Sequence, residues 1–226
     1  MYIITIDGPS SSGKSTVAKL VAEKLDIVHV NSGEAYRAIA YHMLNNGIAP
    51  NDLGNVNYEL KHNAFEMVYE DGKQILLVNG EDVTPYLHTN QINAVVSQYG
   101  ANPQVIYKAS EMARKLAQDF DVVMEGRNLG SFSFPDAKYK FYVDCDVRER
   151  ARRRHNEMLQ KGMEVDYVDI LNQTIARDEL DRTRPVAPLV VPKQAVLIDS
   201  TNQNPNQVAD TIANIVLDCE NIKVRG

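Results

Sequence analysis

Gly8-Pro9-Ser10-Ser11-Ser12-Gly13-Lys14-Ser15 is the stretch that decides the fold. It has the spacing G-x-x-x-x-G-K-[ST], in which two glycines let a backbone curl until several N–H groups point inward. The flanks supply the context this pattern needs. Tyr2-Ile3-Ile4-Thr5-Ile6 is apolar and β-branched, as suits a strand covered on both faces. On the other side Val17, Leu20, Val21 and Leu25 recur at helical spacing. Strand, glycine loop and helix together predict a site for the phosphates of a nucleoside triphosphate at a helix N-terminus. Lys14 adds a point charge for the β- and γ-phosphates, the Ser15 hydroxyl can ligate Mg²⁺, and Thr16 is a second hydroxyl within reach. The candidate nucleotide site is therefore Gly8, Pro9, Ser10, Ser11, Ser12, Gly13, Lys14, Ser15 and Thr16. An ordinary glycine-serine turn capping a helix would leave this spacing and both flanks unexplained.

Outward from the loop, the chain alternates strand and helix patterns. Residues 27–30 read as a second strand running into the Asn31-Ser32-Gly33 turn, and a helix carrying Tyr36, Arg37, Ile39 and Met43 follows. Ser32, Tyr36 and Arg37 thus sit at the carboxyl end of a strand, where open α/β sheets bind ligands. Arg37 reads either as a solvated helix charge or as a second phosphate clamp. Residues 65–78 change character. Two apolar runs around Asp71-Gly72 predict a hairpin, Asn79-Gly80 a further turn, and the whole a small antiparallel insert. A helix returns over 91–99. Asn102-Pro103 then caps a longer one expected to run through Met112, Leu116 and Phe120. Residues 121–125 give a third parallel strand, with Arg127 at its carboxyl end, and residues 139–143 a fourth. Two arginine-rich helices joined around Gln160-Lys161-Gly162-Met163 look like a helical flap. Most of the first helix's arginines read as a solvated face. On the second, Arg177 and Asp181 are spaced i, i+4 and share a side. A fifth strand over 194–198 and an amphipathic helix over 208–219 close the chain.

Composition narrows the partners. With 24 Lys and Arg against 30 Asp and Glu the net charge is −6, which argues against a general nucleic-acid surface. The length of 226 residues suits one α/β domain with small inserts. The sequence enters a strand at once and holds no long apolar run, so neither a signal peptide nor a membrane span is expected. Cys145 and Cys219 read as free, buried thiols in a reducing compartment, which makes the cytoplasm the expected location. None of the five histidines has ligand spacing, and no Ser-His-Asp or Cys-His pair is present. The chemistry points to phosphate.

With these residues in view, the chain resembles the bacterial cytidylate kinases over nearly its full length. The matching segments are Ile6-Asp7-Gly8 through Thr16, Ser32-Gly33 with Tyr36-Arg37, the hairpin insert, and Ser97-Gln98. They continue with Gly126-Arg127, Phe134-Pro135-Asp136-Ala137, Arg177-Asp178, Asp181, Arg184 and Ala187-Pro188-Leu189. The resemblance implies a nucleoside-monophosphate kinase fold of the phosphate-loop class: a five-stranded parallel sheet flanked by helices, an antiparallel insert that closes over the monophosphate, and a helical lid. It implies a core of about 1–60, 100–147 and 185–226, an insert of about 61–99 and a lid of about 148–184. By the same resemblance Arg37 and Arg127 hold the acceptor phosphate with Arg184 in support. Ser97, Arg177 and Asp181 hold the ribose, and Ser32 helps read the base. Lys14, Arg127 and Arg184 are then the expected catalytic groups, ATP and Mg²⁺ the cofactors, and CMP or dCMP the acceptor of a monomeric enzyme.

Four positions depart from the family pattern. Asn128 stands where Asp is usual, Ile106 for Arg, Asn31 for Asp, and His88 for Arg. Positions 106 and 128 match family residues that read cytosine. An amide at 128 can present a donor or an acceptor, so relaxed discrimination against UMP is expected. Rival classes are weaker. A nucleotide switch would carry an Asn-Lys-x-Asp stretch, which is absent; a nucleic-acid motor is disfavoured by the acidic charge and short length. A sugar or hydroxy-acid kinase would not need Arg37, Arg127 and Arg184, and a non-catalytic phosphate-loop binding protein is the last alternative.

Overall fold

β1, Ile3–Asp7, is buried from its second residue on, as its apolar run requires. The computed structural model describes residues 2–224, with side chains through Glu220. The chain divides into two compact units, one of residues 2–29, 121–183 and 188 onward, the other of residues 30–120 with 184–187.

The first of these carries the parallel sheet. α1 (Lys14–Leu25) follows β1, and β2 (Val28–Asn31) follows α1. β6 (Val122–Gly126), β7 (Tyr139–Asp144) and β8 (Val196–Asp199) complete the sheet, whose order is β2-β6-β1-β7-β8. β1 lies between β6 and β7, so its carboxyl end is flanked by two parallel neighbours. In that register Ile6 pairs with Glu125 and with Phe141, and Asp7 with Gly126 and Tyr142. α8 (Pro205–Val224) and α1 cover one face. Val17, Ala18 and Val21 of α1 meet Val208, Ile212 and Val216 of α8 over Ile4, Ile6, Phe141 and Val143, all nearly inaccessible. Fully burying such a side chain contributes about 1.5–3 kcal/mol, so this cluster anchors the strand that ends at the loop. α6 (Val147–Gln160) and α7 (Tyr167–Thr183) pack against each other as a helical pair.

The other unit holds α2 (Gly33–Asn45), α3 (Leu53–His62), the antiparallel strands β3 (Phe65–Glu70), β4 (Lys73–Val78) and β5 (Glu81–Asp82), then α4 (Asn90–Tyr99) and α5 (Pro103–Leu116). Its core is Ile39, Met43, Val56, Leu60, Met67, Leu76, Leu87, Tyr99 and Met112. Asp71 and Gly72 both take positive φ (50° and 76°), the twist-matched geometry that an aspartate-glycine hairpin turn supplies.

Two expectations need correction, and one helix was not expected. α3 was not visible in the sequence, because Leu53–His62 buries only Val56 and Leu60 and has no sustained apolar stripe. α5 stops at Leu116 rather than reaching Phe120. Gln118 and Asp119 donate to Lys115 and Leu116 in tight i to i+3 bonds, and Phe120 leaves to meet Tyr69 edge-on at 5.7 Å. Cys145 is buried as expected but Cys219 is exposed, because the cluster under α8 ends at Val216. Among the described residues no helix is long and apolar enough to cross a membrane.

Candidate active site

The loop after β1 is built by steric necessity. Gly8 has φ 150°, and a Cβ there would lie 2.2 Å from the Val143 carbonyl oxygen. Ser11 (φ 60°) and Gly13 (φ 90°) also take positive φ, so the backbone alternates handedness as an anion-binding nest does. Lys14 opens α1 and is buried, its Nζ donating to Pro9 O at 2.6 Å and to Ser12 Oγ at 3.4 Å. Burial pushes the Lys14 ammonium well below its ordinary range, and nearby Arg127 adds to this, against the pull of Glu125, Asp7 and Asp181. A cation stripped of water is a strong seat for a phosphate oxygen.

Ser15 Oγ donates to Glu125 Oε2 at 2.7 Å. Glu125 is the next-to-last residue of β6, which lies beside β1 in the sheet. Burial acts to raise its carboxyl, but His29, Lys14 and Ser15 outweigh burial and hold it below the ordinary value. It is thus ionised at neutral pH. His29 Nε2 stands 3.5 Å from its other oxygen. Hydroxyl and carboxylate together form a hard oxygen pair at the mouth of the loop, chemistry that fits Mg²⁺.

Asp7, the last residue of β1, is fully buried and accepts from the N–H groups of Leu129 (2.8 Å) and Gly130 (2.7 Å). Burial raises its carboxyl to about 6, with the two N–H donors, Lys14 and Arg127 working the other way. Through these bonds Asp7 pins the segment that starts at Asn128. That segment makes a single π-type turn, Leu129–Ser133, whose first carbonyl, Asn128 O, accepts from Phe132 and Ser133. Such turns concentrate at functional sites. Arg127, one residue earlier, pairs through Nε with Asp181 Oδ2 at 3.0 Å and donates from Nη1 to Gly8 O at 3.3 Å.

In this unit, then, the structure brings together the loop, Lys14, Ser15, Arg127 and Asp181, with Asn128 buried beside them in sequence and Arg177 one turn before Asp181 on α7. The remaining candidates lie in the other unit. Ser32 is buried just before α2. Arg37 donates to Leu87 O (3.1 Å) and Asn93 Oδ1 (2.7 Å), with Glu34 3.9 Å from its Nε, so it is a held side chain rather than a solvated charge. The Tyr36 ring approaches Gly100, where an added Cβ would meet it at 3.4 Å. Ser97 is half-buried on α4, and Arg184 Nε donates to Ala187 O at 2.6 Å. Ile106 is fully buried in α5, and His88 lies 3.2 Å from Glu34.

Sequence reasoning missed Asp7, Glu125 and Arg150 as site residues. Asp7 and Glu125 left a signal, since each is a lone acid ending an apolar strand run. Arg150 left none. It stands among four other arginines between 148 and 154, and only the packing of α6 makes it the buried one, at 2% exposure.

Comparison with known proteins gives the family. A family model described as cytidylate kinase matches residues 4–218. A cytidylate kinase of Carboxydothermus hydrogenoformans is 35% identical over 213 residues, 94% of this chain and 96% of that protein. One of Caldicellulosiruptor saccharolyticus is 36% identical over 209 residues, 92% of each chain. Among solved structures, a shikimate kinase from Bacteroides thetaiotaomicron superposes with TM-score 0.50 at 12% identity, covering 97% of this chain and 98% of that one, a likeness of fold alone. By the reach of the family model and the identity to these relatives, the chain belongs to the cytidylate kinase family.

Proposed function

We propose that the protein transfers the γ-phosphoryl group of ATP to the 5′-phosphate of CMP or dCMP. The observation that carries this reading is the phosphate loop with its desolvated Lys14 and the Ser15–Glu125 couple, in a chain of this family. The acceptor oxygen is already ionised at neutral pH, so the reaction needs no strong general base. Catalysis is positioning and charge neutralisation. The loop N–H groups and Lys14 hold the donor phosphates and offset the charge that spreads over the transferring group. Arg127 and Arg37 take the acceptor phosphate with Arg184 in support. Arg177, Asp181 and Ser97 orient the ribose, while Ser32, Tyr36 and Asn128 serve the nucleoside. For Arg127 this means exchanging Asp181 for a phosphate, a stronger bidentate partner. Ser15 and the ionised Glu125 would hold Mg²⁺, which would supply positive charge against the donor phosphates. The insert of about 61–99 and the lid of about 148–184 would exclude water that otherwise hydrolyses ATP. The partners are small molecules and the setting cytoplasmic, as the two free cysteines suit.

A steady-state assay of ADP formation with CMP, dCMP, UMP, AMP and GMP tests the proposal. We expect CMP and dCMP to give the highest kcat/KM. A purine monophosphate in first place, or ATP turnover indifferent to any monophosphate, would overturn it.

A further inference from the structure

The carbonyl groups of the phosphate loop are held one by one. Gly8 O accepts from Arg127 Nη1 at 3.3 Å, Pro9 O from Lys14 Nζ at 2.6 Å, Ser10 O from Arg150 Nη1 at 3.1 Å, and Ser12 O from Ser200 Oγ at 3.0 Å. With its carbonyls engaged this way, the loop keeps its N–H groups as the anion-binding set. Two of these donors, both arginines, also grip α7. Arg127 Nε pairs with Asp181 Oδ2 at 3.0 Å. The Arg150 fork takes both oxygens of Asp178, at 3.1 and 2.5 Å, while its Nε donates to Cys145 O at 2.9 Å. Asp178 and Asp181 are i, i+3 neighbours on the helix surface. The loop and α7 are therefore tied by two side-by-side arginine bridges, from Gly8 to Asp181 and from Ser10 to Asp178.

The two bridges differ in kind. Arg127 and Asp181 are partly exposed and are proposed to meet substrate, so theirs is an exchangeable tie. Arg150 and Asp178 are out of water, at 2% and 6% exposure, and the Arg150 guanidinium is occupied by Cys145 O, Ser10 O and both oxygens of Asp178. We propose that Arg150, through its bidentate pair with Asp178, is a positioning residue for phosphoryl transfer: it fixes the Ser10 carbonyl and α7 in one arrangement. The loop is thereby preformed for the donor phosphates, and α7 presents Arg177 and Asp181 at a fixed distance from it. The part concerning Arg177 and Asp181 rests on the ribose assignment made above; the part concerning the loop does not.

The test is calorimetric titration of MgADP, and separately of CMP, into the full chain carrying Arg150→Lys, Asp178→Asn or both. A lysine keeps the charge but cannot span Ser10 O and two carboxylate oxygens. Each single variant is expected to weaken MgADP at least about tenfold. The double variant should be no weaker than the worse single, because both changes cut the same bridge. A purely stabilising ion pair would lower the unfolding midpoint and leave MgADP binding within about twofold of the parent. That result in a folded variant, or losses that add in the double, would overturn the inference. Should Arg150→Lys fail to fold, the near-isosteric Asp178→Asn decides by the same MgADP criterion. Asp181→Asn is titrated alongside. If it leaves CMP affinity unchanged, the ribose assignment is what fails, and the MgADP result still decides the role of Arg150.

Discussion

Lys14 holds its charge where water cannot stabilise it, bound to a backbone carbonyl and a serine hydroxyl. Burial penalises that ammonium, so Lys14→Ala should leave the melting temperature of the nucleotide-free protein level or higher while removing the seat for the transferring phosphate. We expect kcat to fall below a tenth of the parent. Greater retention would mean that Lys14 supplies under ~1.4 kcal/mol of transition-state stabilisation, too little for the role given to it. Glu125 works beside it through charge. Glu125→Gln can still accept the Ser15 hydroxyl but loses the negative charge that a divalent ion needs. The Mg²⁺ concentration giving half-maximal rate should rise by roughly 10–100-fold, the usual cost of disturbing groups around a metal. A superimposable Mg²⁺ titration would reassign Glu125 to packing.

At the scale of elements, the helix α5 shows what local sequence can secure. Asn102 accepts from the Gln104 N–H at 2.9 Å, with Pro103 in the first turn, the signature expected of an N-cap. The cap is buried and also reaches Asn57 at 3.3 Å, so Asn102→Ala should cost about 1–2 kcal/mol in urea unfolding with the slope unchanged. A loss under about 0.3 kcal/mol would mean that water replaces the side chain. Legibility followed the same logic along the chain. β1, the loop and the Asp71-Gly72 hairpin were readable because steric and hydrogen-bond rules act there over a few consecutive residues. α3 was hidden because it buries only Val56 and Leu60 and is held by packing against α2 and α5 rather than by an apolar stripe of its own. The site divides likewise. Lys14, Ser15 and Arg127 were legible from motif and strand end. The Arg150–Asp178 pair, 28 residues apart, was not, since nothing but tertiary packing selects one arginine from that run.

For the molecule as a whole, the unusual titration is that of Asp7. Its carboxyl is raised by burial from 3.8 to about 6, so the folded state binds a proton that the unfolded chain has already released. The contribution of Asp7 is therefore complete below about pH 4 and is lost as pH rises through 6; the full span corresponds to about 3 kcal/mol. Glu149 has the opposite sign. Its pairs with Arg152 and Arg153 depress its carboxyl to about 2, so what it contributes is present above about pH 4.5 and disappears only in acid. Between pH 5 and 7.5 Asp7 is then the group to watch. Asp7→Asn keeps one acceptor for Leu129 or Gly130 and turns a donor toward the other, so the variant is less stable than the parent at pH 5. It never has to hold a buried charge at pH 7.5, however. We expect its deficit in urea unfolding to shrink by about 1–3 kcal/mol between pH 5 and 7.5 in the absence of nucleotide. Parallel stability curves for parent and variant would mean that Asp7 stays ionised throughout, held by its two N–H donors and by Lys14 against the cost of burial.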